Sequence, residues 1–562
     1  MRTIIFSILF GISFCFGQDG VPKDYFMNPL DVPVVVSGTF GELRSNHFHS
    51  GLDMKTNGEE GLNVYASASG RVSRIKVSHG GYGKAIYLLH PNGYTTVYAH
   101  LKKFAPKIEK FVKERQYAKE SYEIELFPKS GTLEVKKGDI IAYSGNTGGS
   151  SGPHLHFEIR DSKSRPMNPM SFGIEVEDTK KPIVNGLWAY SLDKNAHVNG
   201  NQKPYRLTLT PKEDGSLKAE NITAHGNIGF GISTIDKQDL APNHNGVYKI
   251  TTEVNGQKNL KLEMNRFSFS ETRYVNRLID YKYFKKYRSR ISKLFIEQNN
   301  PLTIFKTKVN NGFIKVGDSF SYNYRILVED YKNNTTVIDV PIKGKYMDSI
   351  TKSETFKTSD FVKVNENYTY NSGIVDLLIP KGSLYEDTYL DLLVNGETAE
   401  IHNDETPLHK NITLVFDVSH YKDEDKKKLY IGRINGNDKI YYTRTSKKEN
   451  RFSTRTRTFG KYSLFSDTQK PTIVPINVSS KKWISQATHL KVKINDTESG
   501  IKSYRGTLNG KFILMEYDYK TGMLVYDFSD NVNTDPENNF KLVVLDNVGN
   551  RATFETTFYR KP

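Results

Sequence analysis

Cysteine is almost missing from this 562-residue sequence, and its single copy is Cys15. That residue falls within MRTIIFSILFGISFCFGQ, where Arg2, an apolar stretch from Ile4 to Phe16, and small Gly17 ahead of Gln18 and Asp19 predict a signal peptide over residues 1–17. Removal of the peptide leaves no thiol, which excludes both a disulfide framework and a cysteine nucleophile. The apolar stretch is shorter than the roughly 20 residues a bilayer-crossing helix needs, which favours cleavage near Gly17 over a membrane anchor. A lipoprotein whose first residue is lipidated Cys15 is the alternative, and the membrane is a partner only in that case. Phe14 argues against it, because that position normally takes a small residue. Either route predicts export, to the periplasm, the cell envelope or the outside.

Hydrophobic residues are also sparse, at 37%, yet 34 Tyr and 31 Phe are present. That combination excludes a bundle of long helices and suits β-rich domains with one wet face per sheet. The length is too great for one core and predicts roughly three to five domains. The net charge of +16 would suit an anionic partner such as cell wall, membrane surface or nucleic acid. The lysines are scattered through strand-like segments, however, which is the pattern of a solvated surface, and no nucleic acid is expected.

Residues 18–176 read as short strands broken by glycine, as in VYASASGRVSRIKVSHGGYGKAIYLLH from Val64. An insertion at about 102–137 differs, since Ile108, Phe111, Val112 and Arg115 have helical spacing. Further on there is a faint repeat. Asp178-Thr-Lys-Lys-Pro182 returns as Asp467-Thr-Gln-Lys-Pro471, and the closings ILVEDYKNN and VVLDNVGN each carry an Asp four residues before a final Asn, Asn334 and Asn550. Two Ig-like β-sandwiches, 177–346 and 467–562, are expected, flanking a β domain of uncertain type at 347–466. The basic, aromatic run YKYFKKYRSRISK from Tyr281 is expected to be strand and turn with a solvated face. Asn310-Asn311-Gly312 and Asn435-Gly436 mark turns.

Histidine is scarce too, at 14 copies, yet it clusters. In Pro153-His154-Leu155-His156-Phe157, the strand period of two puts both imidazoles on one face. His49 and Asp53, in His-Ser-Gly-Leu-Asp, offer an imidazole and a carboxylate four apart, and His100 follows a strand-like run. A hydrolytic zinc takes three protein ligands and leaves one position to water, so four His and one Asp leave two residues free to act on water and substrate. Singly each element is weak: HxxxD is common by chance, HxH can be an exposed pair, and His100 can be a satisfied core histidine.

Together, FGELRSNHFHSGLD, TTVYAHL and SGNTGGSSGPHLHFEIR resemble the three blocks of the lysostaphin-type, or LytM-like, zinc metallopeptidases, over the first third of the chain. The resemblance implies a mainly β fold, with an N-terminal β-rich peptidase domain (duplicated hybrid motif) followed by β-sandwich domains. It further implies Zn2+ held by His49, Asp53 and His156, with His154 as general base and His100 orienting water or stabilising the oxyanion. Only His49 fits the block, so nearby His47 is set aside. The implied function is a zinc metalloendopeptidase hydrolysing peptide cross-links of peptidoglycan, with envelope proteins as partners of the β domains. The insertion departs from the family pattern and could border or gate the groove. Two alternatives stay open: a non-catalytic regulator or binder of wall hydrolases, and a zinc peptidase acting on extracellular proteins.

Overall fold

The computed structural model describes residues 20–353 and 356–561. The segment read as a signal peptide, with Cys15, lies outside the described residues. Among these residues no helix is long and apolar enough to cross a membrane.

The first third is built on a nine-stranded antiparallel sheet. Its main strands are β1 (Val36–Gly38), β2 (Leu52–Lys55), β3 (Gly70–Val77), β4 (Lys84–Leu89), β5 (Thr95–Leu101), β6 (Ile124–Leu126) and β7 (His154–Arg160). They lie in the order β1-β2-β7-β5-β4-β3-β6. Alternation decides the faces: Leu155, Phe157 and Ile159 of β7 are fully buried in the core, where Phe157 meets the ring of Tyr98 at 5.3 Å. The opposite face of β7 then presents His154, His156 and Glu158. β7 lies between β2 and β5, with His156 directly across from Asp53 on one side and Ala99 on the other. Gly51 makes this approach possible, because a Cβ there would stand 2.2 Å from the Phe157 carbonyl oxygen.

The insertion supplies the edge strand β6 and one helix, α1 (Pro106–Lys119), the helix as its spacing predicts. Proline occupies the first turn, Ile108 and Val112 face inward, and Glu120 ends the helix in the left-handed region at φ 46°. The helix faces the last β domain, where the Tyr117 hydroxyl donates to Asp530 at 2.6 Å and Lys113 pairs with the same carboxylate at 2.5 Å.

Residues 183–344 form a thirteen-stranded sheet organised around the long strand Ile222–Ile235. Its core is continuous with that of the first third, since Phe267 stacks on Phe40 at 5.1 Å and touches Phe48 at 5.3 Å. Residues 360–466 contain two five-stranded sheets around a separate core that includes Phe416, Phe459 and Tyr462. From 472 onward two four-stranded sheets enclose a third core with Leu490, Tyr526 and Phe558.

The repeat noticed in the sequence has a physical basis. Asn334 donates through its amide to the Asp178 carbonyl at 3.0 Å, and Asn550 does the same to Asp467 at 3.0 Å, so each closing motif fastens onto its opening. One local expectation fails: Tyr281–Tyr287 is a helix, not a strand. Asp280 caps it by accepting from the Tyr283 N–H, and the i, i+3 pair Tyr281 and Phe284 turns inward.

The last domain folds back on the first. Lys84, buried, pairs with Glu516 at 2.7 Å, and Lys520 donates to the carbonyls of Asn146 and Ser150 at 2.6 and 3.2 Å, just ahead of β7. Asp530 is the most buried acid of this seam, and an unpaired charge left there costs about 1–3 kcal/mol. Asp530→Asn is therefore expected to loosen the seam by about that much, read as faster limited proteolysis around residue 467.

Candidate metal centre

Three atoms from separate places in the sequence meet on the polar face of β7. His49 Nε2 lies 3.0 Å from Asp53 Oδ1 and 3.1 Å from His156 Nδ1, and His156 Nδ1 lies 2.8 Å from Asp53 Oδ1. The surroundings fix which proton sits where. His49 donates from Nδ1 to the Thr39 carbonyl at 2.8 Å, and His156 donates from Nε2 to the Glu158 carboxylate at 2.9 Å. Each ring thereby turns its other nitrogen toward the partner ring and toward a carboxylate oxygen. Three such atoms at about 3 Å hold together only around a shared proton or a metal cation, and a metal can replace the proton. Two nitrogens and one oxygen are a donor set suited to a borderline cation such as zinc.

His100 and His154 flank this trio. Their rings are 4.8 Å apart, and His154 Nε2 is 3.5 Å from Asp53 Oδ1. Both spend Nδ1 on a backbone carbonyl, His100 on Thr147 at 2.8 Å and His154 on Gly152 at 2.8 Å, which leaves Nε2 of each as an acceptor. His100 occupies the left-handed region at φ 60°, and its N–H bonds the Tyr82 carbonyl at 3.0 Å. A non-glycine residue held there is strained backbone, of the kind that gathers at functional sites. The turn lifts His100 out of the alternation of β5 and aims it at β7.

The electrostatics describe the metal-free site, in which a proton on His156 takes the place a cation would hold. Burial opposes ionisation of Asp53, but the imidazoles around it hold its carboxyl well below the usual range. Burial works against charge on His156 too, yet its hydrogen bonds to Asp53 and Glu158 push it up to about 9. His100 moves the other way, lowered to about 3 by burial and by the neighbouring His156 and His154. It is therefore neutral across the physiological range.

All five residues singled out in the sequence come together, while His47 stays outside, bonded to Asn46 at 2.9 Å. Sequence reading missed Glu158, which is fully buried and also accepts from Ser50 at 2.7 Å and from Arg160. Its signal was available, because the period that pairs His154 with His156 continues to Glu158. Arg44, donating to Asp53 Oδ2 at 3.0 Å, and Tyr82, donating to Glu158, gave no comparable local signal.

Residues 47–119 and 129–169 match the model of peptidase family M23, and residues 359–467 match a Zu5-like domain. The chain is 33% identical over 153 residues to the DD-carboxypeptidase/endopeptidase Mpg of Neisseria meningitidis serogroup B, covering 27% of this chain and 26% of that protein. It thus spans about a quarter of the length of that relative. It is also 33% identical over 115 residues to lipoprotein NlpD of Yersinia enterocolitica, covering 20% of this chain and 93% of the relative. Among solved structures, the catalytic domain of lysostaphin from Staphylococcus simulans is 25% identical, with 25% of this chain and 93% of that one covered and a TM-score of 0.19.

Glu158 supplies two expectations. Glu158→Gln removes the carboxylate that orients His156 and should weaken metal binding by about 10–100-fold, measured by competition with a chelator. Burial raises the carboxyl but Arg160 and His156 outweigh it, so the folded value lies below the ordinary 4.5. The stability Glu158 contributes is then present above pH 4.5 and lost as pH falls through the folded value. Glu158→Gln should flatten the acid limb of Tm against pH.

Proposed function

Because the chain belongs to the peptidase M23 family, we propose that it is an exported zinc metalloendopeptidase that hydrolyses peptide cross-links of peptidoglycan. One observation carries the reading: three metal-ligating atoms converge beside two further histidines that hold their Nδ1 on backbone carbonyls and turn Nε2 toward the site. His49, Asp53 and His156 would hold the metal. Bound zinc supplies a Lewis acid that polarises the scissile carbonyl and brings its water to a pKa of about 7.

The remaining work falls to the chain's own groups. His154 Nε2 takes a proton from the attacking water, and the Gly152 carbonyl on Nδ1 then stabilises the imidazolium. The same nitrogen returns that proton to the departing amine as the C–N bond breaks. His100, neutral and fixed by Thr147, accepts a hydrogen bond through Nε2 and so positions the water. It can donate to the tetrahedral oxyanion only after gaining a proton, which ranks its orienting role above oxyanion stabilisation. Arg44 and Glu158 act on the ligands, keeping Asp53 and His156 from rotating away.

The wall substrate is supported by the names of curated relatives, among them a DD-carboxypeptidase/endopeptidase, and envelope location by the same kinship together with the export signal read at 1–17. In this reading the β domains after residue 177 hold the enzyme on the wall or on envelope partners. The last domain reaches the loop ahead of β7 through Lys520, beside Lys102 and Tyr122 of the insertion.

Digestion of purified sacculi tests the proposal. Zinc-loaded wild type is expected to release stem-peptide fragments, and His154→Ala to lose about 10²–10⁴-fold in rate while keeping its zinc. Wild type that binds zinc yet releases no fragments, with His154→Ala behaving identically, would remove the enzymatic reading. Cleavage of elastin in preference to cross-linked muropeptides would redirect it to extracellular proteins.

A further inference from the structure

Two other carboxylate clusters, each with two buried members and one part-buried, occupy matching places in the repeat of this chain. Asp178, Asp236 and Asp330 each bring one oxygen to within 4.8 Å of the others, and so do Asp467, Asp496 and Asp546. In both, the first acid opens the D-T-x-K-P motif and the third belongs to the closing motif. Backbone donors satisfy only part of each set. Asp330 Oδ1 accepts from the Asn334 N–H at 2.9 Å, and Asp546 Oδ1 accepts from Val548 and Asn550 at 3.0 and 2.8 Å. Asp236 Oδ1 and Asp546 Oδ2 are buried with no hydrogen-bond partner among the described residues.

Neutral oxygens in the same places are equally unspent. Gln238 is 4% exposed, its amide oxygen has no partner, and it lines with Asp178 and Asp236 a cavity of about 20 Å³. That is room for about one water or one bare cation. Ser499, 1% exposed, has an unpartnered hydroxyl while its N–H donates to Asp467 Oδ2 at 3.2 Å. Cations of the protein do not fill the role. Among the described residues no Lys, Arg or His nitrogen lies within 4.0 Å of these six carboxylates. Lys180 spends its ammonium on the Gln238 and Asp239 carbonyls, and Lys428 on Asn550. Burial, then the charges of Asp178 and Asp330, push Asp236 up to about 8. Unneutralised, these anions oppose their own fold.

An all-oxygen set of carboxylates, a side-chain amide and a hydroxyl selects a hard cation, unlike the imidazole-rich trio on β7. We propose that each triad binds one divalent cation of the Ca2+ class, and that the two ions stiffen the joints at which the repeated domains begin. The first cavity is also lined by Thr39 and Asn168 of the peptidase region. Thr39 bonds Gly246 through its hydroxyl at 3.1 Å and receives His49 on its carbonyl, so this joint lies one residue from a metal ligand of the groove. At the second joint the Asp467 N–H bonds the Lys428 carbonyl of the preceding domain at 3.1 Å.

The test uses the full chain, zinc-loaded and freed of other metals, titrated with CaCl2 by equilibrium dialysis and calorimetry. Two Ca2+ per chain beyond the zinc are expected, with Tm rising as Ca2+ is added and Mg2+ competing poorly. Asp236→Asn and Asp546→Asn should each reduce the count to one, and the double variant to none, with zinc content unchanged. No Ca2+ beyond background, or full binding by both variants, would overturn the proposal. If a variant fails to fold, the wild-type count still decides, supported by Tb3+ emission excited through neighbouring tyrosines.

Discussion

Everything at the site depends on one constraint: His49 Nε2, Asp53 Oδ1 and His156 Nδ1 are brought within about 3 Å of one another, a cluster that holds only around a proton or a metal cation. The carbonyl of Thr39 and the carboxylate of Glu158 impose it by occupying the outer nitrogens. Such an arrangement is unfavourable on its own, and the surrounding sheet must hold it together. The buried face of β7 does so, with Leu155, Phe157 and Ile159 fixing the strand from below. The site's polar convergence and the core's apolar packing are thus two faces of one strand.

Much of this was legible beforehand because the period of β7 is short-range information. His154 and His156 share a face through local geometry alone, and the same rule extends to Glu158. The helix at 106–119 was likewise readable from its spacing. Other parts depended on contacts that no window of sequence contains. The aim of His100 comes from a left-handed turn held by the Tyr82 carbonyl, and Arg44 reaches Asp53 only once β1 and β2 are paired. The helix at 281–287 was hidden by its aromatics and basic residues, which resemble a strand until the Asp280 cap is counted. The insertion drew attention as a possible cover for the groove, but its partners, Asp530 and Arg505, lie hundreds of residues away.

The chain also sorts its polar chemistry by place. Imidazoles are concentrated on the open face of β7, whereas the buried aspartates gather where one β domain hands over to the next. The core follows a similar division, since the first two regions share one continuous apolar interior and the later two keep their own. Peptidase and following sheet therefore behave as one body, and the last domain meets that body through Leu514 and Phe512 and through charges and hydrogen bonds at Lys84, Lys113 and Lys520. Contacts of that kind respond to ionic strength far more than apolar cores do.

Gly51 carries a consequence for ion choice. With no side chain at that position, the backbone between His49 and Asp53 rests directly on the Phe157 carbonyl, so the span from His49 to His156 is set by main-chain contact. Side chains can swing to suit a guest, whereas two main chains in contact cannot move closer and part only by breaking ladder bonds. The aperture between the imidazoles is a fixed gauge, and an ion of larger radius would have to pry β2 from β7 to enter it.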